Sequence, residues 1–205
     1  MNAVRSGDFK VAFKEFAELA EQGDAKAQAM LALMYAKGLG VPQDDKQALD
    51  WNKKAAEQGI SVAQYHLALM YAKGQGVPQD DKQALDWNKK AAEQGLADAQ
   101  SNLALMYAKG QGVPQDYKQA VRWFTKAAEQ GAANAQNNLG FSYATGKGVL
   151  QDNVYAHMWW NIASADGSKV GAENRDTVAE RMTPADISKA QALARECVKK
   201  DYKGC

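Results

Sequence analysis

Asn102, Asn134, Asn137 and Asn138 carry carboxamides that both donate and accept hydrogen bonds, as an extended peptide backbone does. Tyr65, His66, Asp98 and Ser101 sit in the same or neighbouring sequence columns. Leu69, Leu105 and Phe141 offer apolar contact, and Lys37, Lys73 and Lys109 can attract a carboxylate. This chemistry suits binding through many small contacts. A catalytic reading finds no support: G-x-S-x-G, S-x-x-K, H-E-x-x-H and the P-loop are all absent from the sequence. His66 and His157 lie far apart, and neither has a Cys or His at ligand spacing, so no metal site or cofactor is expected. Asp44 and Asp45 read as a helix start rather than an acid/base pair.

These residues hang on a repeat. Gly23, Gly59, Gly95, Gly131 and Gly167 are each 36 positions apart, as are Trp51, Trp87, Trp123 and Trp159. A constant period in this range marks a solenoid, whose units bury apolar faces only against neighbours. Residues 24–59 read as two helices. Ala27, Leu31, Met34 and Tyr35 make one apolar stripe between about Ala25 and Lys37. Gly38 ends that helix, and Pro42 cannot continue it. Asp44 is an N-cap, with Gln47 three residues on as the partner of a capping box. Asp80/Gln83 and Asp116/Gln119 repeat the device. The second helix runs to about Gln58, with Ala48, Trp51 and Ala55 on its buried face. Small alanines permit close helix approach, and the tryptophans read as core filling.

The boundaries predicted are a half repeat over 1–23, repeats over 24–59, 60–95, 96–131 and 132–167, and capping helices with a tail over 168–205. In the fourth repeat Leu150 replaces the proline, and NIASADG replaces KKAAEQG. After Gly167 the pattern dissolves. Residues 169–181 read as one more helix. Thr183 caps a last one, with Pro184 at its first position. Residues 7–23 align with the second half of a repeat, so an upstream segment is expected to have been removed, by a signal peptidase or in cloning.

Of 205 residues, 25 are basic and 24 acidic, a net charge of +1 without any run of like charge. That balance argues against a nucleic-acid or anionic-membrane binder. No stretch approaches the roughly 20 apolar residues of a membrane span. Cys197 and Cys205 are the only cysteines. One reading is a disulfide, which fits an oxidising compartment and contributes about 2–3 kcal/mol. The other is one buried and one reactive thiol.

The recurring word AxAQxxLAxMYAKGxGVPQDxxQAxxWxxKAAEQG resembles the Sel-one-like repeat (SLR), a relative of the tetratricopeptide repeat. The resemblance covers 24–167 in four tandem copies. It implies an all-α, right-handed α-solenoid (superhelix) of 36-residue helix-turn-helix repeats, with first helices lining a concave groove. By the same similarity, four residue columns face that groove. They are Lys26/Val62/Asp98/Asn134, Ala29/Tyr65/Ser101/Asn137, Met30/His66/Asn102/Asn138 and Leu33/Leu69/Leu105/Phe141. A fifth is Lys37/Lys73/Lys109/Thr145. Other readings stay open. The lysines also suit helix C-termini, the leucines can pack between repeats, and variable columns can vary because nothing touches them. The resemblance implies a non-enzymatic, monomeric adaptor for a protein or extended peptide. Bacterial members are often exported, which implies a periplasmic or secreted protein, with the cytoplasm as alternative. Cysteine-rich relatives imply the competing function of peptidoglycan or β-lactam binding or hydrolysis, although the cysteine pair of each repeat is missing here.

Overall fold

In the computed structural model, residues 8–205 are described, and the predicted start of the half repeat before Asp8 lies outside them. The described residues form eleven helices. They are α1 (Phe9–Glu21), α2 (Ala25–Lys37), α3 (Asp45–Glu57), α4 (Ser61–Lys73), α5 (Asp81–Glu93) and α6 (Ala97–Lys109). Next come α7 (Tyr117–Ala128), α8 (Ala133–Thr145), α9 (Asn153–Ala165), α10 (Lys169–Ala179) and α11 (Pro184–Lys199). The chain divides into two compact units, Met1–Leu96 and Ala97–Cys205.

Local chemistry explains the boundaries. The Asp44 carboxylate accepts from the backbone N–H groups of Lys46 (2.9 Å) and Gln47 (3.0 Å). Asp80 does the same at the start of α5. Such caps satisfy donors that a helix start leaves without a partner. At α11 the Thr183 hydroxyl accepts from Asp186 N–H, with Pro184 in the first turn.

In unit one, α1 packs on α2, α2 on α3, α3 on α4 and α4 on α5. Ala55, Ala56, Ala63 and Leu67 form a buried cluster, with Tyr71 and Trp87 against it. A buried amide also ties successive helices. Gln28 Nε2 donates to the Ala20 carbonyl (3.1 Å), and Gln58 Nε2 donates to Gln28 Oε1 (2.8 Å). Gln64, Ala56 and Gln94 repeat the arrangement one period later. A buried carboxamide without partners would cost about 1–3 kcal/mol, so each layer is specified by its neighbour.

In unit two, α6 to α9 pack in the same consecutive order, and α10 and α11 both pack on α9. Ala194 and Cys197 of α11 share a core with Phe124, Met158, Trp159 and Ile162. Cys197 and Cys205 form a disulfide with a Cα–Cα distance of 5.5 Å. The tail then meets the helix ends: Gly204 N–H donates to Glu129 Oε1 (3.1 Å).

The tryptophans do not form one uniform ladder. Trp51, Trp87 and Trp123 are half-buried, each with a lysine ammonium over its ring, at 3.9, 3.9 and 4.2 Å. Of the four at this spacing, only Trp159 is wholly core, at 2 % exposure. The lysine three residues along covers the open ring face of the other three.

His157 is more deeply buried than its sequence context suggests, at 3 % exposure, and its Nδ1 has no hydrogen-bond partner. Its column carries Leu49, Leu85 and Val121 in the preceding repeats. Burial lowers its pKa, the Arg175 charge lowers it further, and Asp176 opposes. The unfolded chain therefore takes up this proton more readily than the folded one. The stability contribution is complete above the ordinary value of about 6.5 and declines as the pH falls through the folded-state value. His157→Leu is expected to flatten the acid side of the stability curve. Urea midpoints compared at about pH 5 and about pH 7.5 check this; an unchanged difference would refute it.

Candidate functional site

A recess forms where two successive first helices meet the loop and second helix between them. In unit one its volume is about 240 Å³. Leu33, Ala36 and Lys37 come from α2, and His66, Leu69, Met70 and Lys73 from α4. Gln43 and Asp45 line the α3 start, Gln75 follows α4, and Asn52 of α3 completes the lining.

A recess of about 200 Å³ in unit two is made by the same positions 72 residues on. Leu105 stands for Leu33, Tyr117 for Asp45, Phe124 for Asn52, Asn138 for His66, Phe141 for Leu69 and Lys147 for Gln75. A further recess of about 270 Å³ lies between α8, α9 and α10. Its Trp160, Asn174, Thr177, Val178 and Arg181 fall 108 residues after Asn52, His66, Leu69, Met70 and Lys73. Thus α10 takes the place of a first helix in a fifth repeat, although its sequence has lost the repeat word. The helix that follows, α11, packs back on α9.

Lys37, His66, Leu69 and Lys73 are brought together in the unit-one recess. Tyr65 is adjacent, its ring centroid 6.0 Å from that of His66. Burial lowers the His66 pKa, and the Lys37 charge lowers it further, which keeps the imidazole neutral at pH 7. In unit two, Leu105, Asn138 and Phe141 share a recess. Asp98, Ser101, Asn102, Lys109, Asn134 and Asn137 line none of the three. Asn137 works inside the stack: its Nδ2 donates to Ser168 Oγ (2.7 Å), and its carbonyl accepts from Trp160 Nε1 (3.1 Å). Asn138 Nδ2 donates to the Asn134 carbonyl of its own helix (2.7 Å).

Sequence reasoning passed over the column Phe16, Asn52, Asn88, Phe124, Trp160. Its signal was an asparagine in two successive copies of a core position that is aromatic in the others. Facing residues compensate. Met70 accompanies Asn52, while the smaller Ser142 accompanies Phe124. Beside Trp160 the alanine of other repeats becomes Gly140, where a Cβ would lie 2.6 Å from Trp160 Nε1.

Among the described residues, no group of three or more His, Cys, Asp or Glu could hold a metal ion. No described helix is long and apolar enough to cross a membrane.

Stacked helix pairs with recurring recesses define an all-α solenoid repeat protein. The Sel1 repeat model matches residues 25–60, 61–96, 97–131 and 133–168, and the chain belongs to the Sel1 repeat family. It is similar to c5321, a protective antigen of uropathogenic Escherichia coli displaying an SLR fold. That match has 35% identity and a TM-score of 0.86, and covers 93% of this chain and 42% of the other. A Sel1 repeat protein from Oxalobacter formigenes matches at 42% identity and TM-score 0.74, over 81% of this chain and 48% of the other. A further Sel1 repeat protein, from Klebsiella pneumoniae, matches at 27% identity and TM-score 0.54, over 86% and 88% of the two chains. The chain thus spans less than half the length of the first two. Among curated proteins none matches by sequence. Sel1 repeat proteins commonly serve as protein-interaction scaffolds.

Proposed function

We propose that this protein is a non-enzymatic scaffold whose first-helix face holds an extended segment of a partner protein. The observation that carries the reading is one recess built at equivalent repeat positions, with different linings in the two units. A common backbone shape with changing side chains gives each recess its own preference for a partner side chain. Lys37, Tyr65, His66, Leu69 and Lys73 serve in unit one. Leu105, Asn138 and Phe141 serve in unit two, with Asp98, Ser101, Asn102, Lys109, Asn134 and Asn137 on the same helices nearby. The C-terminal disulfide supports function in the periplasm or outside the cell, where such bonds persist.

The test is capture from periplasmic extract by wild type and by His66→Ala/Leu69→Ala/Asn138→Ala/Phe141→Ala. None of these four is fully buried, so helicity is expected to persist. A specific partner should be held at least about tenfold more weakly by the variant, the loss expected when central contacts are truncated. Equal retention would remove this face as the binding surface.

A further inference from the structure

We propose that the unit-one recess receives an acidic side chain of the partner, with Asn52 bonding it and Lys37 and Lys73 supplying the counter-charge. This deepens the scaffold reading and rests on it. Asn52 is 2 % exposed, yet its amide is poorly satisfied. Nδ2 reaches only the Met70 thioether, at 3.6 Å, and Oδ1 has no partner. Thioether sulfur is a weak acceptor. The amide therefore keeps one N–H for an incoming oxygen and an oxygen for an incoming N–H. A peptide residue with an acidic side chain brings both.

Charge selects the acid over its amide. The recess holds two ammonium groups, Lys37 and Lys73, against one carboxylate, Asp45. Asp45 is engaged by Gln43 Nε2 (3.4 Å) and sits in the first turn of α3, where negative charge is favoured. Among the described residues neither lysine is paired with a carboxylate. Carboxylates accept charge-assisted bonds from ammonium groups that a neutral amide accepts only weakly.

The equivalent recess in unit two lacks these features. Phe124 replaces Asn52, and Lys147 lies over the rings of Tyr117 and Phe141, at 5.3 and 5.5 Å. The Ser142 hydroxyl donates to the Asn138 carbonyl (2.9 Å). With a ring in place of the buried amide and its one ammonium lying over two rings, this recess offers an acid neither contact, so the preference belongs to unit one.

The experiment is a nitrogen-15 NMR titration of the full chain with N-acetyl-glutamate methylamide. The matching glutamine and norvaline compounds serve as controls. The glutamate probe is expected to give saturable shifts in the Asn52 side-chain amide and the His66 and Lys73 backbone amides, with the controls at least about tenfold weaker. Lys37→Gln/Lys73→Gln removes two exposed charges and should abolish the shifts. Asn52→Phe/Met70→Ser installs the pair found at Phe124 and Ser142, a combination this fold accommodates, and should do the same. Equal response to all three probes, no response at Asn52, or full binding by the lysine variant would overturn the proposal. If the glutamate probe fails while the four-alanine variant still loses its captured partner, the acid preference falls and the scaffold reading stands.

Discussion

Trp159→Ala is expected to cost about 3–5 kcal/mol, the range for removing a large aromatic from a core that cannot fully collapse. Trp159 is 2 % exposed and packs in one cluster with Phe124, Met158, Ile162 and Cys197. Trp87→Ala is expected to cost roughly half as much or less. Its ring is half-buried and removes less apolar surface from water. Lys90, 3.9 Å from its ring centroid, returns to solvent on truncation and loses about 0.5–1 kcal/mol of attraction. Guanidinium midpoints followed by far-ultraviolet circular dichroism give the comparison. Equal losses would mean that the four tryptophans share one environment, against the burial reported above.

Two glycines of unit one should separate as sharply. Both Gly59 and Gly76 have positive φ, 88° and 69°. At Gly59 an added Cβ meets nothing within 4 Å, so Gly59→Ala carries only the left-handed backbone cost of about 1–2 kcal/mol. At Gly76 the Cβ would stand 2.4 Å from the Asp45 carbonyl oxygen and 2.8 Å from its carbon. Backbone atoms capped into a helix start cannot step aside as a side-chain tip can. Overpacking adds about 1–3 kcal/mol, which brings Gly76→Ala to roughly 2–5 kcal/mol. The same midpoints check the pair, and a loss at Gly76 no larger than at Gly59 would contradict the close approach. Because Asp45 lines the recess, Gly76→Ala should also shift the His66 amide resonance.

Helix positions were legible because their causes are local. The alanine-rich stripe predicted Ala25 to Lys37, the bounds of α2, and Asp44 and Thr183 act as caps. The candidate site was legible only in part. Lys37 lies on one first helix and His66, Leu69 and Lys73 on the next, and all four line one recess. Asn137, chemically as good a candidate, is engaged with Ser168 across the stack. A sequence column shows that two residues share a helix face; it does not show whether a neighbouring helix has already taken the hydrogen bond.

By itself, the sequence determined the period, the helix pairs, their ends and the family, because capping and i, i+4 patterning act within one turn or two of chain. Tertiary structure alone decided that Asn52 lies beneath Lys37 and Lys73's recess with an unpartnered oxygen. It also decided that α10 continues the stack while α11 packs back beside Trp159. These outcomes depend on which surfaces far apart in the chain come to cover one another, and burial is a property of the covered surface, not of the residue that is covered.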